Sequence, residues 1–417
     1  MQDSYKDRFN RLVTRAEHEF TDPACILGAA ELLAGELDRL NIKVFDVETD
    51  LIGKDDSINA VPPEFILGSV LTYDYTKTPN LNTFTDISEF NKKLKYGTIY
   101  VGHNVCFDLN YVYRLRSNST LLWDTAMFHY ICTGQKDTFP SLNSLAEYYG
   151  ISFSKEDKVS EMIKAGISPK YIPFEDLKKY CEQDVLLTWE IFKRQRDIFN
   201  AFNKAKKSLI ITHMNWLKTV FYSSKTGINV DRDGLNKAIT KLSSNVEYLK
   251  TCLESTMYLA YVKAGIKPRE LDNSINIASP KQVATFIYGG EIAITKYVNT
   301  GTMYKSGMKK GTPKLRKEST KIPYNGYFKS YGVLDTSEEA LRKLISCARV
   351  EAHTEAEEFL SKLLDYRDNS KTLNTYLIPY YERSERTGKI HPEYKHTGTP
   401  TGRLSCTKPN IQNLKGD

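Results

Sequence analysis

The stretch Lys43-Val44-Phe45-Asp46-Val47-Glu48-Thr49-Asp50 is a short apolar run into which two carboxylates are set at alternate positions. Successive side chains of a strand leave opposite faces, so Asp46 and Glu48 share one face, a few ångströms apart. Further β-rich runs cover 65 to 73 and 97 to 101, divided by polar, Pro-containing loops and followed by helical stretches. This alternation predicts an α/β fold around a mixed sheet. Ahead of it, Phe9, Leu12 and Val13, then Ile26, Leu27, Ala30, Leu33, Leu37 and Leu40, recur at helical spacing and predict a helical arm over residues 1–40. After it, the pattern predicts amphipathic helices from Phe174 to Phe192 and over about 200–224, and a long helix capped by Asp231 or Asp233 and running to about Lys263. Others start at Ser279-Pro280, at Thr336-Ser337-Glu338-Glu339 and near Thr354, so the second half is mainly helical.

At 417 residues, 41% hydrophobic and 26% charged, the chain has the composition of an ordinary soluble protein with two or three domains. Its seven cysteines are scattered singly without a C-x-x-C pair, which argues against a zinc site or a disulfide framework and for a reducing cytoplasm. The charged start lacks an apolar leader and no run is long enough to span a bilayer, so no membrane partner is expected.

Like charges side by side repel, and for hard carboxylate oxygens the fitting counter-charge is Mg²⁺ or Mn²⁺. Two further carboxylates belong to the same chemistry. The third β run ends in Gly102-His103-Asn104, and a helix from that turn would put Asn104 and Asp108 four residues apart on one face. A carboxylate there also suits the positive end of a helix. In Tyr180-Cys181-Glu182-Gln183-Asp184 the same spacing aligns the Tyr180 hydroxyl with the Asp184 carboxylate. Asp46, Glu48, Asp108 and Asp184 converging on one point suffice for two divalent ions about 4 Å apart, the arrangement of in-line phosphodiester hydrolysis.

The order D-x-E, then N-x-x-x-D after a Gly-His-Asn turn, then Y-x-x-x-D resembles the DEDDy 3′-to-5′ exonucleases, whose fold is a ribonuclease-H-like mixed sheet flanked by helices. The resemblance implies catalytic residues Asp46, Glu48, Asp108, Tyr180 and Asp184, with the four carboxylates as ligands of two Mg²⁺ or Mn²⁺ ions. It also implies that Tyr180 helps to hold the attacking water and that Asn104 touches the 3′-terminal nucleotide.

The helical half holds the most basic stretch, Lys296 to Lys329, with Lys309, Lys310, Lys314, Arg316 and Lys317 among interleaved tyrosines and glycines. Such a stretch reads as a mobile loop that follows a phosphate backbone, as a docking place for a processivity factor, or as a solvated surface loop. Arg367 and Lys371, one helical turn apart, are candidates for a phosphate clamp. Gly388-Lys389-Ile390-His391-Pro392 predicts a hairpin-like turn.

The final segment, Thr401-Gly402-Arg403-Leu404-Ser405-Cys406-Thr407-Lys408-Pro409-Asn410-Ile411-Gln412-Asn413, resembles the T-G-R-L-S-S-x-x-P-N-L-Q-N block of family A (polymerase I-type) DNA polymerases, where thumb meets palm. The resemblance implies that Arg403 reads the minor groove at the primer terminus, with Asn410, Gln412 and Asn413 as neighbouring DNA contacts. It divides the chain into an N-terminal arm (1–40), a 3′-5′ exonuclease domain (41–198), a thumb with connecting helices (199–385, basic insertion 295–330) and the start of the palm (386–417). The family's palm aspartates and fingers would lie downstream of Asp417, so the expectation is a truncated or split polymerase, phage-like and compact, whose palm and fingers come from a second chain or a longer one. The expected partners are DNA primer-template and single-stranded 3′ ends, and the expected compartment is the cytoplasm, that of the bacterial host if phage-encoded. The alternative is a stand-alone DEDDy exonuclease that trims RNA 3′ ends, which leaves the Arg403 block unexplained.

Overall fold

The computed structural model describes residues 41–53, 56–74, 78–112, 121–138, 140–152, 158–271, 275–303, 312–327 and 335–413. The expected arm at 1–40, Lys309, Lys310 and the last four residues lie outside the described residues. Two compact units are present, Met1–Val230 with Arg383–Asp417, and Asp231–Glu382.

In the first unit the run containing Asp46 and Glu48 is strand β1 (Ile42–Thr49), the centre of a five-stranded sheet. β2 (Phe65–Tyr73) pairs antiparallel with β1, and β3 (Asn80–Phe84) antiparallel with β2. Helix α1 (Ile87–Leu94) leads to β4 (Ile99–Gly102), which pairs parallel with β1, and β5 (Leu121–Asp124) adds parallel to β4. The order β3-β2-β1-β4-β5 makes a mixed, ribonuclease-H-like sheet. The sequence pattern marks β1, β2 and β4; β3 and β5 complete the sheet.

Helices α2 (Thr125–Cys132), α3 (Leu142–Tyr148) and α4 (Lys158–Lys164) precede α5 (Phe174–Ala201) and α6 (Lys204–Thr226), and α6 leads into a short strand, β6 (Ile228–Asn229). Val44, Phe45, Val101, Trp123, Val185, Phe192, Met214 and Leu217 share one buried cluster, so α5 and α6 both cover the five-stranded sheet. The buried Trp123 indole donates to Gln195 Oε1 at 2.9 Å, and the Gln195 amide donates to the Thr125 carbonyl at 2.8 Å. That satisfies the polar groups trapped between β5 and α5. The compact unit therefore extends through α6 to Val230.

Just past β1, Asp50 accepts hydrogen bonds from Ser168 Oγ and from Lys170 Nζ, the latter at 2.8 Å, tying the strand end to the turn before α5. The Lys170 bond first, then Ser168 and the Leu51 N–H, hold its carboxyl down to about 2, from an ordinary 3.8. A depressed carboxyl stabilises the fold fully above its unfolded value, and the contribution disappears as pH falls through the folded one. Asp50→Asn should therefore flatten the acid limb of a melting-temperature profile between about pH 4 and pH 2. An identical limb in wild type and variant would show that the clamp contributes nothing.

The second unit opens with α7 (Arg232–Lys263), N-capped by Asp231, which accepts from the Gly234 N–H at 3.0 Å. It continues with α8 (Pro280–Tyr288), β7 (Gly290–Met303), β8 (Pro313–Tyr324), α9 (Glu338–Val350) and α10 (Thr354–Lys371). Leu253, Met257, Tyr261, Phe286, Leu341, Phe359, Leu360 and Leu363 belong to its core. The basic stretch is thus no loop over its described residues: β7 and β8 form an antiparallel two-stranded ribbon. Its inner end is rooted in the core by Ile292 and Ile294, both buried. Gly289 and Gly326 meet at that root, where a Cβ on Gly326 would stand 2.5 Å from the Gly289 nitrogen. Both have positive φ, so the close approach and the backbone conformation require glycine.

After α10 the chain returns to the first unit. The expected hairpin-like turn at Gly388 to Pro392 is instead the antiparallel pairing of Lys389–Ile390 with β6, more than 150 residues earlier. The segment beyond it is seated on the elements of the first unit: Tyr130 of α2 donates its hydroxyl to the Thr399 carbonyl at 2.6 Å.

Candidate active site

β1 is buried over Ile42–Phe45 and opens on one face at its end, where Asp46 and Glu48 are half-exposed while Val47 and Thr49 stay buried. The strand's period of two thus delivers both carboxylates to the same open edge. Asp108 arrives from the turn after β4: its Oδ1 accepts the Val47 N–H at 3.1 Å, between the two strand carboxylates. Asp108 is only 4% exposed. Burial, and then the charge of Asp46, push its carboxyl well above the usual range.

The route by which Asp108 arrives differs from the expected helix. Asn104 has φ +55, a left-handed conformation that a right-handed helix does not continue, and only a short 3₁₀ turn forms at Asp108–Tyr111. Asn104 and Asp108 therefore do not share a helical face. Asn104 is exposed, and its N–H and that of Val105 are donated to the Asp124 carboxylate at 3.2 and 2.8 Å. Asp124 also caps α2, accepting from Ala126 at 2.8 Å and Met127 at 3.1 Å. This fully buried carboxylate, which the sequence shows only as part of a short apolar segment, holds the whole turn. Its signal is Asp-Thr directly before a helical run, the mark of an N-cap.

From α5 come Tyr180 and Asp184, one turn apart, and Cys181 beneath them. The Tyr180 phenol is raised, chiefly by burial and then by the charges of Asp184, Glu48 and Asp46. That ordering places Tyr180 within the field of three of the four carboxylates. Cys181 is buried and donates weakly to the Asp46 carbonyl and to Asp46 Oδ2, each at 3.6 Å. Asp46, Glu48 and Cys181 bring ligand atoms within 4.8 Å of one another. Sequence reasoning misses Cys181, because nothing in a lone cysteine shows that its thiol lies under a strand.

The donor set suits a hard divalent cation. Asp46, Glu48, Asp108 and Asp184 offer carboxylate oxygens, the preferred partners of Mg²⁺ and Mn²⁺. Cys181 does not fit as a ligand: burial and the charges of Asp46 and Glu48 keep its thiol protonated, and sulfur is a soft donor.

Of the nucleic-acid candidates, Arg403, Asn410, Gln412 and Asn413 are exposed, Lys314, Arg316 and Lys317 lie on β8, and Lys371 is exposed. Arg367 requires correction. Its guanidinium donates to the Thr336 carbonyl and, at 3.4 Å, to the Thr336 hydroxyl, so it anchors the turn before α9 rather than clamping a phosphate.

Two family models match the chain: "3′-5′ exonuclease" over residues 73–198, which include Asp108, Tyr180 and Asp184, and "DNA polymerase family A" over residues 247–416. DNA polymerase I of Aquifex aeolicus is 24% identical over 355 residues, covering 81% of this chain and 50% of that protein. DNA polymerase I of Helicobacter pylori strain J99 is 25% identical over 296 residues, 69% of this chain and 28% of that protein. The thermostable DNA polymerase I of Thermus aquaticus is 38% identical over 79 residues, 19% of this chain and 10% of that protein. The chain thus spans half or less of the length of these relatives. A solved POL domain of Pol1 from M. smegmatis, in complex with DNA primer-template and dNTP, shares the fold with a TM-score of 0.53 at 16% identity, over 94% of this chain and 55% of that one. With an exonuclease model running from just before β3 through most of α5 and a family A polymerase model over most of the later residues, the chain carries a 3′-5′ exonuclease domain followed by a family A DNA polymerase region.

Proposed function

We propose that this chain is the proofreading portion of a family A DNA polymerase, hydrolysing the terminal phosphodiester of DNA 3′ ends. One observation supports the reading: Asp46 and Glu48 at the end of β1 have Asp108 bonded to the Val47 N–H between them, and Tyr180 on α5 feels the charges of Asp184, Glu48 and Asp46. Carboxylates brought this close in a partly buried place repel one another, an arrangement a fold sustains when cations occupy it.

In this reading the four carboxylates would hold two divalent ions, Mg²⁺ or Mn²⁺. Bound there, such ions supply a water of lowered pKa and charge neutralisation at the scissile phosphate. Tyr180, its phenol raised by burial and by its acidic neighbours, stays neutral through the physiological range and keeps its O–H as a donor. Together with Glu48 it orients the attacking water. Cys181 restrains Asp46 from beneath, and the Val47 N–H restrains Asp108. Asp124 keeps the Asn104 turn in place, so that Asn104 meets the terminal nucleotide. Arg403, Asn410, Gln412 and Asn413 would contact duplex DNA at the primer end, where the minor groove presents acceptors common to all correct pairs.

The experiment is digestion of a 5′-labelled DNA strand in Mg²⁺, run beside an RNA strand of the same sequence. Faster shortening of the DNA supports the reading; shortening of the RNA alone overturns it in favour of RNA trimming. Tyr180→Phe removes the donor and leaves the ring, so kcat should fall about 100-fold with KM nearly constant. An unchanged kcat would remove Tyr180 from water positioning.

A further inference from the structure

Eight basic residues and one acid, Glu318, lie between Lys296 and Tyr324, a net charge equal to the +7 of the whole chain. Everything outside this segment is electrically balanced, so the protein's attraction for a polyanion is concentrated in one place. Among the described residues, Lys296, Lys314, Arg316, Lys317 and Lys321 lie on the β7–β8 ribbon, and all but Lys321 lie on its outer part. Ile294 is its last fully buried position on β7; from Tyr297 to Met303 every residue is exposed, as are Pro313 to Lys317 on β8. Nine residues beyond Ile294, at about 3.4 Å each, carry the ribbon about 30 Å outward.

We propose that the β7–β8 ribbon is an arm that grips the phosphate backbone of duplex DNA without regard to sequence; this rests on the reading that the chain acts on DNA. Cross-strand partners share a face, and Val298 opposes Arg316 while Tyr297 opposes Lys317. By the alternation along each strand, Lys296, Lys314 and Arg316 line one face, and Lys317 lies on the other with its ammonium 5.5 Å from the centre of the Tyr297 ring. Cations on both faces suit a ligand that presents phosphates on both sides. A groove does so, and the major groove, about 12 Å wide, admits a two-stranded ribbon.

A protein partner fits less well. Lysine is depleted from protein–protein interfaces, whereas protein–DNA interfaces are strongly positive. Glu318 pairs with Arg316, and Glu291 with Lys321, but these ion pairs lie at the surface, where their worth is small and a phosphate competes with them. The exposed Val298, Met303 and Leu315 give the ribbon apolar contacts against sugars, which carry no sequence information either.

The test is the salt dependence of affinity for a blunt DNA duplex, followed by fluorescence anisotropy between about 50 and 200 mM KCl. Replacing Lys296, Lys314, Arg316 and Lys317 together with alanine should lower the slope of log K against log[salt] by about 3 to 4, near 0.9 for each phosphate no longer neutralised. Replacing the three lysines with arginine should leave the slope intact, since charge and not side-chain identity is what counts; this also controls for folding. An unchanged slope in a folded alanine variant overturns the proposal and leaves a protein as the ribbon's partner. Hydrolysis of a single-stranded oligonucleotide by the unmodified chain tests the exonuclease reading separately, so the two failures are distinguishable.

Discussion

Asp108→Asn should cut 3′-end hydrolysis by about 10³-fold or more while the protein melts at the same temperature or higher. The Val47 N–H can still donate to the asparagine Oδ1, so the hydrogen bond seen at 3.1 Å survives. The substitution removes a charge that burial and Asp46 already disfavour, and replacing such a charge with a neutral isostere seldom costs stability. Activity behaves oppositely, because a cation's stabilisation of phosphoryl charge is worth several kcal/mol, and each 1.36 kcal/mol is tenfold in rate. Asp46→Ala should behave alike in hydrolysis, with DNA affinity retained. If Asp108→Asn keeps its rate and lowers the melting temperature, the residue is structural and does not belong to the catalytic set.

Asp124→Ala has the largest expected effect on stability. The carboxylate is fully buried and accepts from the backbone nitrogens of Asn104, Val105, Ala126 and Met127. Truncation leaves those donors, all but the Asn104 N–H buried, without an acceptor, at about 3 to 5 kcal/mol for a buried charge network. For a unit of this size that corresponds to about 6 to 20 °C in melting temperature. Asp124→Asn keeps Oδ1, which serves three of the four donors, and turns an amide toward Val105; about half of the loss should return. Because the same carboxylate fixes the turn bearing Asn104 and leading to Asp108, a displacement of about 1 Å there would also slow hydrolysis by about 100-fold. A folded Asp124→Ala protein with wild-type melting would contradict this account of the turn.

The parts of the site legible in the sequence are those set by a local period. Asp46 and Glu48 follow from alternation in β1, and Tyr180 and Asp184 from one turn of α5. Asp108 belongs to the same edge but gets there through a turn whose shape depends on Asp124, sixteen residues later and on another strand. No local period encodes that. The ribbon reads as a loop because strands are recognised by one apolar face, and beyond Ile294 this ribbon has none. Arg367 reads as half of a clamp because helical spacing to Lys371 says nothing of Thr336, 31 residues away, which its guanidinium contacts. The exonuclease family model ends at 198, where the sequence reading divides the chain, and α6 follows as the first of the later helices yet packs with the exonuclease-side unit. Its Ile210, Ile211, Met214 and Leu217 are buried with the sheet, and Met214 Sδ accepts the Asp124 N–H at 3.3 Å.

The most direct measurement is the digestion of a primer-template with a mismatched 3′ nucleotide, resolved to single nucleotides, in Mg²⁺, in EDTA and after Mg²⁺ is restored. The account predicts stepwise loss of nucleotides from the 3′ end in Mg²⁺, none in EDTA and full recovery on restoration. Hydrolysis that continues in EDTA, or a primer left intact in Mg²⁺, would contradict it.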